Sequence, residues 1–413
     1  MTLLIISPDY ASHLLPLATL GTAWRDRGER VVVATGPATA AIVESFGYER
    51  VNLQLGKGSN PGVIKAEDQP AGEDDALRGF FDATRRGMVE TLTFQAEARL
   101  SDLMWEPVRQ ARAVQQLVAD LQPDQIIVDH LAFSARVGLV AAGIAHADVV
   151  LGHPSALPVA GEVYGVPPEW PAAFSPSAAS LEALRELCER VSASFTAEWN
   201  TALLELNPAA TPTSSAFEEH GDLLLLNYPA ELSDRSAVSL GSAVREEAVD
   251  DEVEQWLRSS AEPFVYVSFG SFLSVRDDVL QSVAEALKTL GLRAAIATGN
   301  SVIDAPADWL VRSFLPQVRL LSRSAAAVTH GGNNSVTEAM HHRVPLVVLP
   351  FSTDQFAGAA AIERAGFGVA LAPNTASVTE LADAVATALR LKVTVEQTNG
   401  PDRAYEAFSP KTS

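Results

Sequence analysis

Between Ala325 and Glu338 the chain reads AAAVTHGGNNSVTE: an apolar run to Thr329, a histidine, two glycines, and a helix opening near Asn334. Glycine lets a backbone turn tightly and come close to a ligand. The first amides of a helix are unpaired and carry the positive end of its dipole, so such a turn holds an anion without lysine. The His330 ring and the Ser335 hydroxyl are within reach of the same anion. One turn on, Glu338 is placed to accept hydrogen bonds from hydroxyls such as those of a ribose. Upstream, Phe314–Gln317 reads FLPQ, an extended X-Pro turn that presents N–H and C=O to the edge of a base. Downstream, VPLVVLPFSTDQ (Val344–Gln355) is a second apolar run that breaks into a polar loop bearing Asp354 and Gln355. Three successive strand ends thus offer a base reader, a phosphate cradle and a sugar-hydroxyl binder. No lysine lies between Phe314 and Gln355, which leaves phosphate charge to amide dipoles and His330.

These residues are positioned by short Val/Ile/Leu runs alternating with helical patterns. Leu3–Ser7, Val31–Thr35, Ile126–Asp129, Val149–Leu151 and Leu223–Leu226 read as strands in the first half. Phe264–Phe269, Ala294–Thr298, Ala325–Thr329 and Leu346–Leu349 do so in the second. Helices are expected over Leu14–Gly28, Val108–Leu121, Asp277–Leu290 and Val378–Leu391. Continuous rather than alternating apolar runs indicate parallel strands covered on both faces, hence an α/β fold. The expected division is a first doubly wound domain over 1–235, a linker over 236–261, a second domain over 262–391 and a tail over 392–413. Two such domains face their ligand across the cleft at the strand C-termini. The linker's charged residues, Arg245-Glu246-Glu247 and Asp250-Asp251-Glu252, read as solvated, with a short helix around Val253–Arg258. Gly56–Asp75, rich in Gly, Pro and acid, reads as a mobile loop, and Glu73-Asp74-Asp75 as its solvated end. His153–Ser180 carries six prolines together with Tyr164, Trp170 and Phe174. It is too long for a plain connector, and its aromatic residues suit an acceptor pocket.

The 413 residues are 47% apolar and 20% charged, enough for full cores, and the net charge is −21. That balance excludes a general nucleic-acid or anionic-membrane surface, which needs a basic footprint. One cysteine, Cys188, excludes an internal disulfide framework and a Cys-rich zinc site. MTLLIISPDY has no basic n-region and reads as a buried first strand rather than a signal peptide. No apolar run approaches the ~18 residues of a membrane span. A soluble, cytoplasmic protein is expected, and its oligomeric state is not legible.

FLPQ, THGGNNSVTE and PFSTDQ, with VSFGS (Val267–Ser271) before them, resemble the donor-site signature of family 1 glycosyltransferases of the GT-B fold. The style is that of bacterial enzymes acting on antibiotics, carotenoids and other lipophilic aglycones. The resemblance is dense over Val265–Leu371 and thinner but colinear before it. It implies two Rossmann-like domains and inverting transfer of a sugar from a nucleotide diphosphate donor to an acceptor hydroxyl or amine; Asp354 and Gln355, which can each bind two adjacent hydroxyls, favour a fully hydroxylated hexose, glucose from UDP in the first instance, with a TDP-sugar as the alternative. It assigns Leu315 and Gln317 to the base or ribose, and Glu338 to the ribose hydroxyls. His330, Gly332, Asn334 and Ser335 go to the diphosphate, Ser271 beside it, and Asp354 and Gln355 to the sugar.

Inverting transfer needs a base for the acceptor proton. His13 and Pro16 match the family's Gly-His-x-x-Pro pattern after the first strand, with Ser12 in place of the glycine. The family uses an Asp at the position of Asp129, ending IIVD, to orient that histidine. Asp9, His130, His146 and His153 carry no comparable logic, and the His341-His342 pair is poorly spaced for a metal. No Asp-x-Asp follows a strand, so no metal or other cofactor is expected. Family members finish on a long helix that returns to the first domain. The short, polar end here implies either a different anchor for domain closure or a reduced contact through Pro401–Phe408. Two other readings stand beside transfer: a nucleotide-sugar epimerase, which has no acceptor pocket, and a catalytically silent sugar-nucleotide binder.

Overall fold

The computed structural model describes residues 1–60, 73–100, 103–270, 276–299 and 301–409. Two parallel sheets face each other, the two-domain GT-B architecture. The first contains β1 (Thr2–Ile6), β2 (Arg30–Thr35), β3 (Glu49–Asn52), β4 (Gln125–Asp129), β5 (Ala147–Val150), β6 (Leu223–Leu226) and β7 (Val238–Ser239). Its order is β3-β2-β1-β4-β5-β6-β7. The second contains β8 (Phe264–Ser268), β9 (Arg293–Ala297), β10 (Leu310–Arg312), β11 (Ala326–Thr329), β12 (Leu346–Val348) and β13 (Gly368–Ala370). Its order is β10-β9-β8-β11-β12-β13. Leu3, Leu4, Ile5 and Ile6 are all fully buried, as expected of a central strand with helices on both faces. Ile5 sits between Val33 and Ile127, and Val267 between Ile296 and Val328.

In each sheet the strand order reverses beside the first strand, between β1 and β4 and between β8 and β11. Crossovers leave such a point in opposite directions and open a crevice beyond the strand C-termini. His13 follows β1 and Asp129 ends β4; Gly270 follows β8 and His330 follows β11. The sequence's chemistry-bearing residues therefore sit at both reversal points.

Some boundaries differ from expectation. The first sheet runs past 235, because β7 pairs with β6. The short helix expected within the linker does form, as Asp251–Ser259, but it buries Val253 in the second domain's core. Asp250 caps that helix and binds Arg312 at 2.8 Å, and Glu254 holds Arg319. A 29-residue helix, Ala178–Leu206, begins where the Pro-rich segment ends. Glu73 opens the helix Glu73–Arg86 instead of ending a loop. Positions 61–72 of the expected loop lie outside the described residues.

After the last helix of the second domain (Val378–Ala388), the chain returns and places the helix Gly400–Ala407 on Ala11–Arg25 of the first. Tyr405 and Phe408 meet the Trp24 ring edge-on, with centroids 5.1 and 5.9 Å away, and Arg27 lies 4.2 Å over Tyr405. On the way back it passes the outgoing connector. Thr398 Oγ1 donates to the Leu240 carbonyl at 2.9 Å, and a side chain at Gly400 would meet the Ser242 carbonyl. Gly241 (φ +75°) leaves its own side-chain space to the Thr398 hydroxyl. Among the described residues, no helix is long and apolar enough to cross a membrane. Trp24 is fully buried, and its Nε1–H donates to Gln125 Oε1 at 2.6 Å. Trp24→Ala should cost about 3–5 kcal/mol, as large-to-small core changes do. Thermal unfolding should show the loss, and limited proteolysis should then cut the Gly400–Ala407 segment, with Trp24→Phe intermediate.

Candidate active site

The helix Ala11–Arg25 starts at the turn after β1 and carries His13 in its first turn. Pro16 lies inside it and has no N–H, so the Ser12 carbonyl lacks its usual helical donor. Asn334 of the second domain fills that place: its Nδ2–H donates to Ser12 O at 2.9 Å. His13 Nδ1–H donates to Asp129 Oδ2 at 2.8 Å, and this bond leaves Nε2 as the free ring nitrogen. The Asp129 side chain is fully buried, whereas that of His13 keeps 19% exposure. Asp129 Oδ1 accepts the Leu131 N–H at 2.8 Å, and His130 Nδ1 lies 3.3 Å away. Burial alone would lift the Asp129 pKa, but the charge and hydrogen bond of His13, with His130 behind, hold it below the usual carboxylate range. For His13, burial opposes the charged form, yet Asp129, with Asp354 further off, raises it above the ordinary histidine value.

Between the sheets lies a cleft of 1270 Å³. Its first-domain wall includes His13, His130, Leu92, Leu131, Leu151, Tyr164 and Val166. Tyr164 is stacked on Phe217 at 3.7 Å, and Arg99 lies 5.1 Å over its ring. Trp170 and Phe174 do not reach this cleft. Trp170 lines a smaller groove with Pro168, Ala360 and Arg364, and Phe174 packs edge-on to Phe356 at 5.3 Å. The Pro-rich segment covers the helix Gln355–Arg364 with two of its three aromatic residues, and of the three only Tyr164 lines the cleft, beside Val166 and Pro167.

The second-domain wall includes Gly270, Phe314, Leu315, Gln317, His330, Gly332, Asn334, Ser335 and Asp354. The helix Asn333–His341 starts here after Gly331 (φ +84°), with Gly332 as its N-cap. Backbone and ring approach closely: a side chain at Gly332 would collide with the His330 imidazole, and one at Gly270 would come 3.0 Å from its Cε1. Burial pushes the His330 pKa down to about 4, overriding Asp354 and the Ser268 backbone. His330 is therefore a neutral imidazole in this wall, with a ring N–H that can still donate a hydrogen bond. Ser271 lies outside the described residues. Phe314 is 65% exposed and faces the cleft, an aromatic surface the sequence reading passed over.

Two expected contacts are already engaged. Asp354 Oδ2 accepts the His153 N–H of the first domain at 2.6 Å, and Oδ1 accepts the Thr353 hydroxyl at 2.9 Å. Gln355 is buried; its Oε1 accepts the Phe351 and Ser352 N–H groups at 3.0 and 3.2 Å, and its Nε2–H donates to Ser352 Oγ. Gln355 thus holds the loop that presents Asp354 and is not in the cleft wall. Thr353 keeps φ at +49°, a costly conformation for a β-branched residue, and its N–H donates to Gln95 of the first domain at 3.2 Å.

Glu338 is buried behind the wall. Gln317 Nε2–H donates to its Oε2 at 2.6 Å, and Arg245 pairs with Oε1. Arg245 also binds Glu247 at 2.6 Å, and the Arg319 N–H donates to Glu247 at 3.0 Å. The solvated reading is corrected for Arg245 and Glu247, whose side chains are 17% and 11% exposed, while Glu246, Asp251 and Glu252 are exposed as expected. Among the described residues no group of three His, Cys, Asp or Glu side chains is placed to hold a metal.

Residues 194–397 match the family described as UDP-glucoronosyl and UDP-glucosyl transferase. The chain is 26% identical over 196 residues to the uncharacterized UDP-glucosyltransferase YojK of Bacillus subtilis (strain 168), covering 45% of this chain and 46% of that protein. It is 34% identical over 188 residues to the ecdysteroid UDP-glucosyltransferase of Choristoneura fumiferana defective polyhedrosis virus, covering 41% and 38%. The matched segments span less than half of these curated relatives. The fold is similar to that of the spinosyn forosaminyltransferase SpnP, with a TM-score of 0.65 at 17% identity over 98% of this chain and 93% of that one. For the calicheamicin glycosyltransferase CalG4 the TM-score is 0.61 at 18% identity, over 98% and 92%.

The dyad gives a direct titration test. By NMR, His13 should titrate above the ordinary value of about 6.5. In Asp129→Asn its midpoint should fall below that value, because burial then acts with little opposition. An unchanged midpoint would show that Asp129 does not set it.

Proposed function

We propose that this chain, whose residues 194–397 match the family described as UDP-glucoronosyl and UDP-glucosyl transferase, is an inverting glycosyltransferase. On this reading it moves a hexose, glucose in the first instance, from a UDP donor to a hydroxyl of a lipophilic natural-product acceptor. The observation that carries the reading is an Asp-oriented imidazole in one domain facing a glycine and helix-start anion site in the other, across one cleft. The acceptor lies against Leu92, Leu131, Tyr164 and Val166. Its hydroxyl proton passes to His13 Nε2 as its oxygen bonds to the anomeric carbon. The bond from that carbon to the diphosphate oxygen breaks, and the configuration inverts. Asp129 holds the imidazole in the tautomer that presents Nε2 and then stabilises the imidazolium. Negative charge gathers on the leaving diphosphate, where the first amides of Asn333–His341 are already oriented. An epimerase has no use for the apolar first-domain wall, and a silent binder has no use for a buried His–Asp pair.

Asp354 faces the donor sugar in this reading. A carboxylate has about four acceptor sites, and the His153 N–H and Thr353 hydroxyl take two of them. Sugar hydroxyls take the rest, and a dideoxy sugar leaves them unmet, at a cost of about 1–3 kcal/mol.

His13→Ala should abolish transfer to hydroxyl acceptors while donor binding stays near normal. Asp129→Asn should lower kcat on the order of 10²-fold or more. Both are measured by mass spectrometry against an aglycone library, and wild-type turnover should survive excess EDTA. Full turnover in a folded His13→Ala enzyme removes the histidine from the mechanism, and metal-restored activity removes the amide-only cradle. UDP-glucose should win a direct competition with a TDP-deoxysugar, and Asp354→Ala should erode that preference along with the rate. A clear win for the deoxysugar overturns the assignment of Asp354.

A further inference from the structure

The nucleoside end of the cleft carries a residue that the donor-site signature does not include. Both oxygens of Glu338, the carboxylate that the resemblance assigns to the ribose hydroxyls, are taken: Oε1 by Arg245 and Oε2 by the Gln317 amide at 2.6 Å. Glu338 is 3% exposed and is not in the cleft wall, whereas Arg245 and Gln317 are. The guanidinium is fixed from two sides, by Glu338 and by Glu247 at 2.6 Å, and Glu247 is itself held by the Arg319 N–H. On the far side, Ser335 Oγ–H donates to Gln317 Oε1 at 3.3 Å. A planar guanidinium with two carboxylate partners forms a directed arrangement that a lysine cannot reproduce. Burying Glu338 without such a partner is strongly disfavoured, which is the physical reason the pair forms.

We infer that Arg245 screens Glu338 from the donor and so makes the nucleoside site indifferent to the ribose 2′-hydroxyl, with Arg245 and Gln317 as the side chains the nucleoside meets. This rests on the donor-site reading above and deepens it: nucleotide choice is not made at the ribose, and any preference for UDP-glucose is set at the sugar end. A site built to grip a hydroxyl rejects the analogue lacking it by several orders of magnitude. Glu338 keeps acceptor capacity, as Asp354 does, but it is buried out of the cleft wall behind Arg245 and Gln317 and so offers the ribose no such lever.

Isothermal titration of the whole protein with UDP, 2′-deoxy-UDP and TDP separates the 2′-hydroxyl from the base methyl. The wild type should bind UDP and 2′-deoxy-UDP within about threefold of one another, well under what one charged hydrogen bond supplies. Arg245→Lys keeps a cation beside Glu338 but loses the two-sided grip, and should shift the ratio toward UDP by about tenfold or more. Arg245→Gln should shift it the same way. A wild-type preference for UDP beyond about threefold, abolished in Glu338→Gln, overturns the inference. An unchanged ratio in a folded Arg245→Lys protein does so as well. If either variant fails to fold, the wild-type ratio and its response to Glu338→Gln still decide. Binding of none of the three nucleotides would instead strike the donor-site reading itself.

Discussion

Asp129 is a carboxylate with no solvent contact, and most of the site follows from how that charge is satisfied. An isolated buried carboxylate is too costly to persist, so it must find donors. The Leu131 amide supplies one and the His13 ring another. Satisfying Asp129 fixes the tautomer of His13, and fixing His13 fixes the start of the helix Ala11–Arg25. That helix is then held at both ends by the other part of the chain. Asn334 caps the carbonyl that Pro16 leaves open, and the returning C-terminal helix covers Trp24. A single buried charge thus sets the frame in which the two domains meet.

The same logic at the opposite wall gives a different outcome. Glu338 is also buried, but its partners are a guanidinium and an amide rather than an imidazole. An imidazole exchanges protons near neutrality and a guanidinium does not. One carboxylate therefore supports a proton-transfer group and the other a fixed binding surface. His330, buried with little to stabilise its charged form, remains neutral between them.

The sheets were legible because strands buried on both faces leave unbroken apolar runs. The nine strands expected from sequence all form, with ends shifted by a residue or two. Those missed, β3, β7, β10 and β13, are two to four residues long and lie toward sheet edges, where no continuous run is needed. His13, Asp129 and the glycine turn could be found because strand ends are where such folds carry chemistry. Arg245 could not, since a run of charges in a connector gives no sign that one of them will be buried by a carboxylate about ninety residues away. Trp170 and Phe174 failed for a related reason. Their apolar character was plain, but which neighbour they cover depends on the path of a Pro-rich segment with no period to read.

The chain crosses between domains twice, once outward near Leu240–Ser242 and once back near Thr398–Gly400, and the crossings touch. Two adjacent crossings act as a pair of pins on one line. Rotation about that line leaves both nearly unstrained, while twist or sliding across it would stretch one against the other. The walls of the cleft are thus tied along that line and, elsewhere, by side-chain bonds such as Asn334 to Ser12 and Asp354 to His153, so any opening about the crossings would have to break these bonds.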